Sequence, residues 1–234
     1  MKKKKKIYEG KAKKLYTTDS PEQLIQEFKD EATAFDGTKR GLIKGKGAIN
    51  NQISAHLFTF LESYLIPTHY IKTLTEKDML IRKLDIIPIE VVMRNIAAGS
   101  LCKRYGIEEG KELEYPILEY YLKDDARHDP MINESHAIAF GYAKPEEMRS
   151  IERMASKINA VLKSFFLRRE LKLVDFKLEF GRYKGKILLG DEISPDTCRL
   201  WDAITGKKLD KDRFREDLGE ITEAYEEVRK RVLG

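Results

Sequence analysis

The stretch Leu173-Val174-Asp175-Phe176-Lys177-Leu178-Glu179-Phe180-Gly181 alternates apolar and charged residues. Side chains of a β-strand point to opposite faces in turn. Val174, Phe176, Leu178 and Phe180 therefore fall on one face, and Asp175, Lys177 and Glu179 on the other. The first is a core face. The second is a row of three ionisable groups of mixed sign, which suits the lining of a site. The same pattern also suits a half-exposed strand with an ion-pair ladder, and alternation alone leaves both open.

Downstream, Tyr183-Lys184-Gly185 is a turn signal and residues 186–192 read as the return strand, ending in Asp191-Glu192. Register decides whether Asp191 meets Glu179. A two-residue Lys184-Gly185 turn sets Glu179 against Gly190 and sends Asp191 to the opposite face. A three-residue loop with Gly185 as a left-handed bulge pairs Arg182 with Lys186 and brings Asp191 to the charged face. The bulged form is predicted, with Glu179 and Asp191 as ligands for Mg²⁺, which typically takes one or two carboxylates plus phosphate oxygens.

Residues 7–16 read as two short strands around Gly10. Ser20-Pro21-Glu22-Gln23 reads as a helix start, with Ser as N-cap and Pro in the first turn. Residues 32–46 read as irregular. Ile49, Ile53, Leu57, Leu61 and Tyr64 recur at helical spacing. Strands are predicted around residues 70–71, 79–82, 89–93 and 117–122, and a short helix at 101–106. Residues 123–135 read as a long polar loop, a kind often functional. A long helix starts at Pro145. Asp210 is predicted to cap a final helix with Phe214, Ile221, Tyr225, Val228 and Val232 on one face. Two packed lobes meet near residues 82–88.

The composition narrows the function. The chain has 234 residues, 41% of them hydrophobic, enough for a proper core. Net charge is +5, an excess carried by the run Lys2 to Lys6. The rest is neutral, which argues against nucleic-acid binding. Two cysteines without a CxxC suit a reducing cytosol and offer no zinc site. No apolar stretch is long enough for a membrane span, so a cytoplasmic protein is expected.

Three further clusters carry chemistry. Gly10-Lys11-Ala12-Lys13 joins a glycine turn to two lysines, a composition that suits a triphosphate and equally an exposed basic hairpin. Glu90 and Arg94 share one strand face, followed by Gly99-Ser100; arginine there suits a phosphate or carboxylate, or an ordinary ion pair. Arg199, in a polar loop after the second carboxylate strand, offers another guanidinium for the same mouth or packs against Trp201. None of the four histidines has metal-ligand spacing.

The segments IIPIEVVMRNIAAGS (86–100) and LVDFKLEFG (173–181) resemble signatures of the SAICAR synthetase (phosphoribosylaminoimidazole-succinocarboxamide synthase) family of purine biosynthesis. YEGKAKKLY, FDG…KGKGAINN, KDDARHDPMINESHA and GDEISPDTCRLWD match in order, so the resemblance spans about residues 7 to 230. Thr197 and Cys198 depart from the family pattern and are expected to be peripheral. The resemblance implies an α/β protein of the α+β type. It has two lobes, residues 1–84 and 85–234, with an ATP-grasp-like nucleotide site between mixed or antiparallel sheets. It implies ATP-dependent joining of L-aspartate to the carboxylate of carboxyaminoimidazole ribonucleotide, with Mg²⁺, in a homodimer. Lys11, Ala12 and Lys13 resemble the triphosphate loop, and Glu179 and Asp191 the Mg²⁺–nucleotide carboxylates. Arg94, Ser100 and Arg199 resemble the ribonucleotide phosphate site. Asp175 and Lys177 resemble groups near the ribose and the reacting carboxylate, and Asp129 one near the aminoimidazole; Asp36 and Lys46 line the same cleft. Other readings remain: a different carboxylate–amine ligase, a small-molecule kinase that works without aspartate, or a basic nucleic-acid module.

Overall fold

The computed structural model describes residues 2–34 and 37–234, so Asp36 lies outside the described residues. The first part of the chain holds β1 (Lys6–Glu9), β2 (Lys13–Thr17), β3 (Gln23–Phe28), β4 (Glu31–Ala34), β5 (Lys39–Leu42), α1 (Lys46–Ser63), β6 (Tyr70–Thr73) and β7 (Asp78–Arg82). There follow β8 (Asp85–Ile96), α2 (Ser100–Tyr105), β9 (Glu112–Leu122), β10 (Met131–Ile132), α3 (Glu134–Ala139) and α4 (Pro145–Leu167). The last part holds β11 (Leu171–Tyr183), β12 (Lys186–Leu189), β13 (Cys198–Asp202), α5 (Asp212–Arg215) and α6 (Ile221–Leu233).

These make an α+β architecture in which every strand pairing is antiparallel. One sheet runs β1-β2-β3-β7-β6; a second runs β10-β9-β8-β11-β12, with β13 also on β11. The amide of His69 donates to Leu189 at 2.8 Å and that of Leu189 to Pro67 at 3.0 Å, joining the two sheets at one seam. Helix α1 lies on β3, β6 and β7 and against α6, while α4 covers β8 and β11. Behind the site, the side chains of Asn95 on β8 and Asn159 on α4 exchange hydrogen bonds of 2.8 and 2.9 Å in a buried place. This satisfies two amides that would otherwise cost free energy in the core.

Several expectations are corrected. Ser20-Pro21 does not start a helix. It opens a turn closed by the Gln23 amide on Ser20 O at 3.2 Å, and the following residues form β3. Ser followed by Pro also fits the first two positions of a β-turn, and pairing on both sides with β2 and β7 overrides helix propensity. Residues 32–46 contain the β4–β5 hairpin. The polar loop holds a 3₁₀ turn at Asp125–Arg127 and the short β10. The final helix is two, because Asp217 and Glu220 take left-handed backbone conformations between α5 and α6.

Strand β11 is buried on both faces. Phe176, Leu178 and Phe180 enter the main core with Leu171 and Leu173. Val174 does not share their cluster. Register against β13 shifts between Leu173 and Asp175, and Val174 packs with Ile96 and Ala98 instead. A bulge adds one residue and so turns one side chain to the opposite face.

The hairpin is also corrected. Tyr183 pairs with Lys186 across a two-residue turn, with Lys184 at φ 49° and Gly185 at φ 75°. Two left-handed residues make the turn whose twist matches the strands. Glu179 therefore stands against Gly190, whose amide donates to its carbonyl at 2.8 Å. Asp191 still reaches the charged side by another route: β12 ends at Leu189, and Asp191 takes φ 60°.

Candidate functional site

A cavity of about 280 Å³ opens over the charged face of β11, with Asp175 and Lys177 in its lining. β8 and β11 pair Arg94 with Asp175 directly, so both project to the same side. Arg94 Nη1 donates to Asp175 Oδ2 at 2.9 Å, its Nε to Glu119 at 2.6 Å and its Nη2 to Ser100 Oγ at 3.1 Å. Arg199 reaches the same carboxylate from β13, with Nη1 at 3.0 and 2.8 Å from its two oxygens, and its Nε donates to Asp212 at 2.6 Å. Burial works against the charge of Arg199, but Asp175 and Asp212 outweigh it and raise its affinity for the proton. Gly99, at φ 54°, makes room: a Cβ there would lie 2.5 Å from Arg199 Nη2. Arg215 lines the cavity as well and is tied to Asp212. Three guanidiniums thus line the cavity, Arg94 and Arg199 on Asp175, which is only 4% exposed, and Arg215 on Asp212. Their forked donors, of a kind that matches phosphate or carboxylate, hold Glu119, Asp175 and Asp212 here.

Beside the cavity, reaching its wall through Glu90 and Lys177, is a lysine–carboxylate cluster whose other members do not line it. Lys177 Nζ bonds Glu179, lies 3.1 Å from Glu90 and 3.5 Å from Asp191. Lys13 bonds Asp191 and lies 2.9 Å from Glu192, and Lys123 bonds Glu179. Burial opposes the charge on Lys177, yet Glu179, Asp191 and Glu90 hold it firmly protonated. It is therefore a fixed cation here, not a base. Burial and the neighbouring Asp191 push the Glu179 carboxyl up, and the lysines pull it below its ordinary value. Two acids that repel each other stay charged only because ammonium groups surround them. Among the described residues no group of three or more His, Cys, Asp or Glu could hold a metal; Glu179 and Asp191 offer two carboxylates.

The remaining expected residues fall at different distances from the cavity. The Gly10 amide donates to the Lys13 carbonyl at 2.9 Å, closing the glycine turn, and the Ala12 carbonyl accepts from the Lys29 amide at 2.8 Å, tying the turn to the end of β3. Lys11 pairs with Asp125 of the polar loop at 2.9 Å, and that loop supplies Lys123. Asp129 is not in the cavity lining; its carboxylate accepts from the Asp124 amide at 2.8 Å and folds the loop on itself. Lys46 is fully buried one layer back, 2.6 Å from Asp196, which does line the cavity. Thr197 and Cys198 are not peripheral: both line the cavity. The Thr197 carbonyl accepts from the Lys177 amide at 2.9 Å, so the loop after β12 is stitched to the charged strand. Burial pushes the Cys198 thiol far up, which leaves it an inert wall. Sequence reading missed Glu119, Lys123, Asp212 and Arg215. Glu119 alternates with the apolar residues of β9 as Glu90 does on β8, a signal that could have been used.

The family model described as SAICAR synthetase matches residues 6–232. The chain is 63% identical to phosphoribosylaminoimidazole-succinocarboxamide synthase of Chloroherpeton thalassium, covering 100% of both chains. It superposes on the crystal structure of that enzyme from Ehrlichia chaffeensis with a TM-score of 0.96, at 46% identity and 97% and 98% coverage. A SAICAR synthetase solved in complex with ADP gives a TM-score of 0.94 at 52% identity, with 96% of each chain covered. The chain belongs to the SAICAR synthetase family.

Proposed function

We propose that this chain joins L-aspartate to the carboxylate of carboxyaminoimidazole ribonucleotide at the expense of ATP, releasing ADP and phosphate, in purine biosynthesis. The observation that carries the reading is that one strand, β11, borders both an arginine-lined cavity, through Asp175 and Lys177, and a lysine–carboxylate cluster, through Lys177 and Glu179. A free carboxylate does not acylate an amine, because its oxygen leaves poorly. In the proposed reaction a carboxylate oxygen attacks the γ-phosphorus and ADP departs. The aspartate nitrogen then attacks the acyl carbon, phosphate leaves with the carbon–oxygen bond's electron pair, and the nitrogen sheds a proton.

The chain's groups divide the work. Arg94, Ser100 and Arg199 hold the ribonucleotide's phosphate, with Arg215 beside them. Asp175 receives ribose hydroxyls, and Lys177, kept protonated by its three carboxylate neighbours, steadies the reacting carboxylate. Lys11, Ala12 and Lys13 cradle the polyphosphate. Glu179 and Asp191 fit Mg²⁺, since a two-carboxylate set leaves its other positions to phosphate oxygens and water. When bound, that ion neutralises charge on the phosphates during transfer. Residues 1–84 act as the nucleotide lobe and 85–234 as the ribonucleotide lobe, an ATP-grasp-like division. Homodimer assembly and a cytoplasmic setting complete the proposal; among the described residues no helix is long and apolar enough to cross a membrane. The test is ADP release from ATP with the ribonucleotide, with and without aspartate. Turnover needing all three supports the reading; full-rate turnover without aspartate points to a kinase and overturns it.

A further inference from the structure

We propose that Lys123 is a resident counter-ion of Glu179, given up when the Glu179–Asp191 pair takes a divalent cation, and that its loop holds the place of metal and phosphate until then. This rests on the metal reading above.

Each oxygen of the buried Glu179 carboxylate takes one ammonium group, Oε1 from Lys177 and Oε2 from Lys123. A cation on Glu179 competes with both for its lone pairs and repels their charge, which favours the departure of one. Lys177 sits on β11 itself and is shared among Glu90, Glu179 and Asp191. Removing it would take a shared cation from three acids at once, two of them with side chains 15% exposed or less. Lys123 lies just past the end of β9, is 32% exposed at its side chain, and pairs with Glu179 alone among the described residues. It is the cheaper one to release.

Two residues on, Asp125 places its carboxylate 2.9 Å from the Lys11 ammonium. One loop thus lays a cation on a proposed metal ligand and an anion on a proposed phosphate ligand. It copies the charge order of a metal–polyphosphate. The loop is a compact unit: Asp124 accepts from the Arg127 amide at 3.2 Å and donates its own amide to Asp129, and His128 and Asp129 both have left-handed backbones. The two halves differ in weight. The Lys11–Asp125 pair is exposed at both ends and contributes little, whereas Glu179 is buried, so the effect resides in Lys123.

The test titrates Mn²⁺ into the nucleotide-free enzyme and reads free Mn²⁺ by electron paramagnetic resonance. Lys123→Gln is expected to tighten Mn²⁺ binding about tenfold, from the loss of one charge-assisted competitor. Lys123→Arg keeps the competitor, and Asp125→Asn removes only the exposed pair; both should stay within about twofold of the parent. Tryptic cleavage at the exposed Arg127 should quicken when Mn²⁺ and ADP are added to the parent enzyme. Unchanged or weaker Mn²⁺ binding in Lys123→Gln, or cleavage that slows with Mn²⁺ and ADP, overturns the proposal. Mn²⁺ binding that survives Glu179→Gln overturns the metal reading itself.

Discussion

Replacing Lys46 by Met removes one half of a buried ion pair and keeps most of the side-chain volume. Lys46 Nζ lies 2.6 Å from Asp196 Oδ2, with side chains 1% and 3% exposed. The Tyr225 hydroxyl donates to Oδ1 at 2.7 Å. The pair therefore ties the start of α1, the loop after β12 and α6 into one joint, and Asp196 is part of the cavity wall. Breaking such a pair by removing one partner costs about 3–5 kcal/mol. Lys211 also lends its field to Asp196, so the lower end applies, about 3 kcal/mol. For a chain of this size that is a drop of about 6–12 °C in Tm. The sign with pH follows from the same geometry. Burial drives the Asp196 carboxyl up, and Lys46 is the larger of the two lysines that reverse it. In the Lys46→Met protein the folded-state affinity of Asp196 for a proton rises above its unfolded value. The deficit then shrinks as pH falls from 8 to 5, because protonation removes the stranded charge. Urea unfolding followed by circular dichroism at pH 8, 7 and 5 measures it, with Lys46→Met/Asp196→Asn expected to recover most of the loss. A deficit under about 1 kcal/mol, or one independent of pH and unrelieved in the double variant, would show that Lys46 does not hold Asp196 as a buried ion pair.

Three more outcomes are expected. Arg94→Ala should raise KM for the ribonucleotide about 100-fold and KM for ATP under about threefold, by steady-state kinetics; equal effects would contradict its place at the ribonucleotide's phosphate. Gly99→Ala puts a Cβ against the Arg199 guanidinium at a left-handed backbone position and should lower stability by about 1–3 kcal/mol in urea unfolding, with a raised ribonucleotide KM. A Gly99→Ala protein with both unchanged would show that Arg199 is not pinned there. His69 is fully buried, and burial lowers its pKa to about 3. It stays neutral in the folded protein while the unfolded chain takes up a proton below about pH 6.5, so stability present above that pH is lost on acidification, by about 1 kcal/mol per pH unit. His69→Phe should flatten that slope between pH 6.5 and 5; parallel slopes would rule the histidine out.

The sequence made one face of the site legible because period-2 alternation survives burial. Asp175, Lys177 and Glu179 fall where their spacing puts them. The same rule failed at Val174, since a bulge changes parity without a glycine or proline to announce it. The hairpin was misread for a related reason. Lys184 carries a left-handed backbone that its side chain does not favour, while its ammonium pairs with Glu22 of a distant turn at 2.7 Å. Asp191 reaches the lysines through a backbone conformation that no local pattern encodes. Lys123 comes from the loop after β9, and Asp212 and Arg215 from the short helix α5; only tertiary folding brings these two segments to β11. The Ser20-Pro21 misreading shows propensity yielding to sheet pairing.

In the proposed reaction ATP activates the ribonucleotide's own carboxylate beside β11. The direct measurement uses ribonucleotide labelled with ¹⁸O in that carboxylate, ATP, aspartate and the unmodified enzyme, with the released phosphate examined by mass spectrometry. One labelled oxygen should appear in phosphate for each amide formed. Unlabelled phosphate alongside amide formation would mean that the carboxylate oxygen never bonds phosphorus, and would contradict the account.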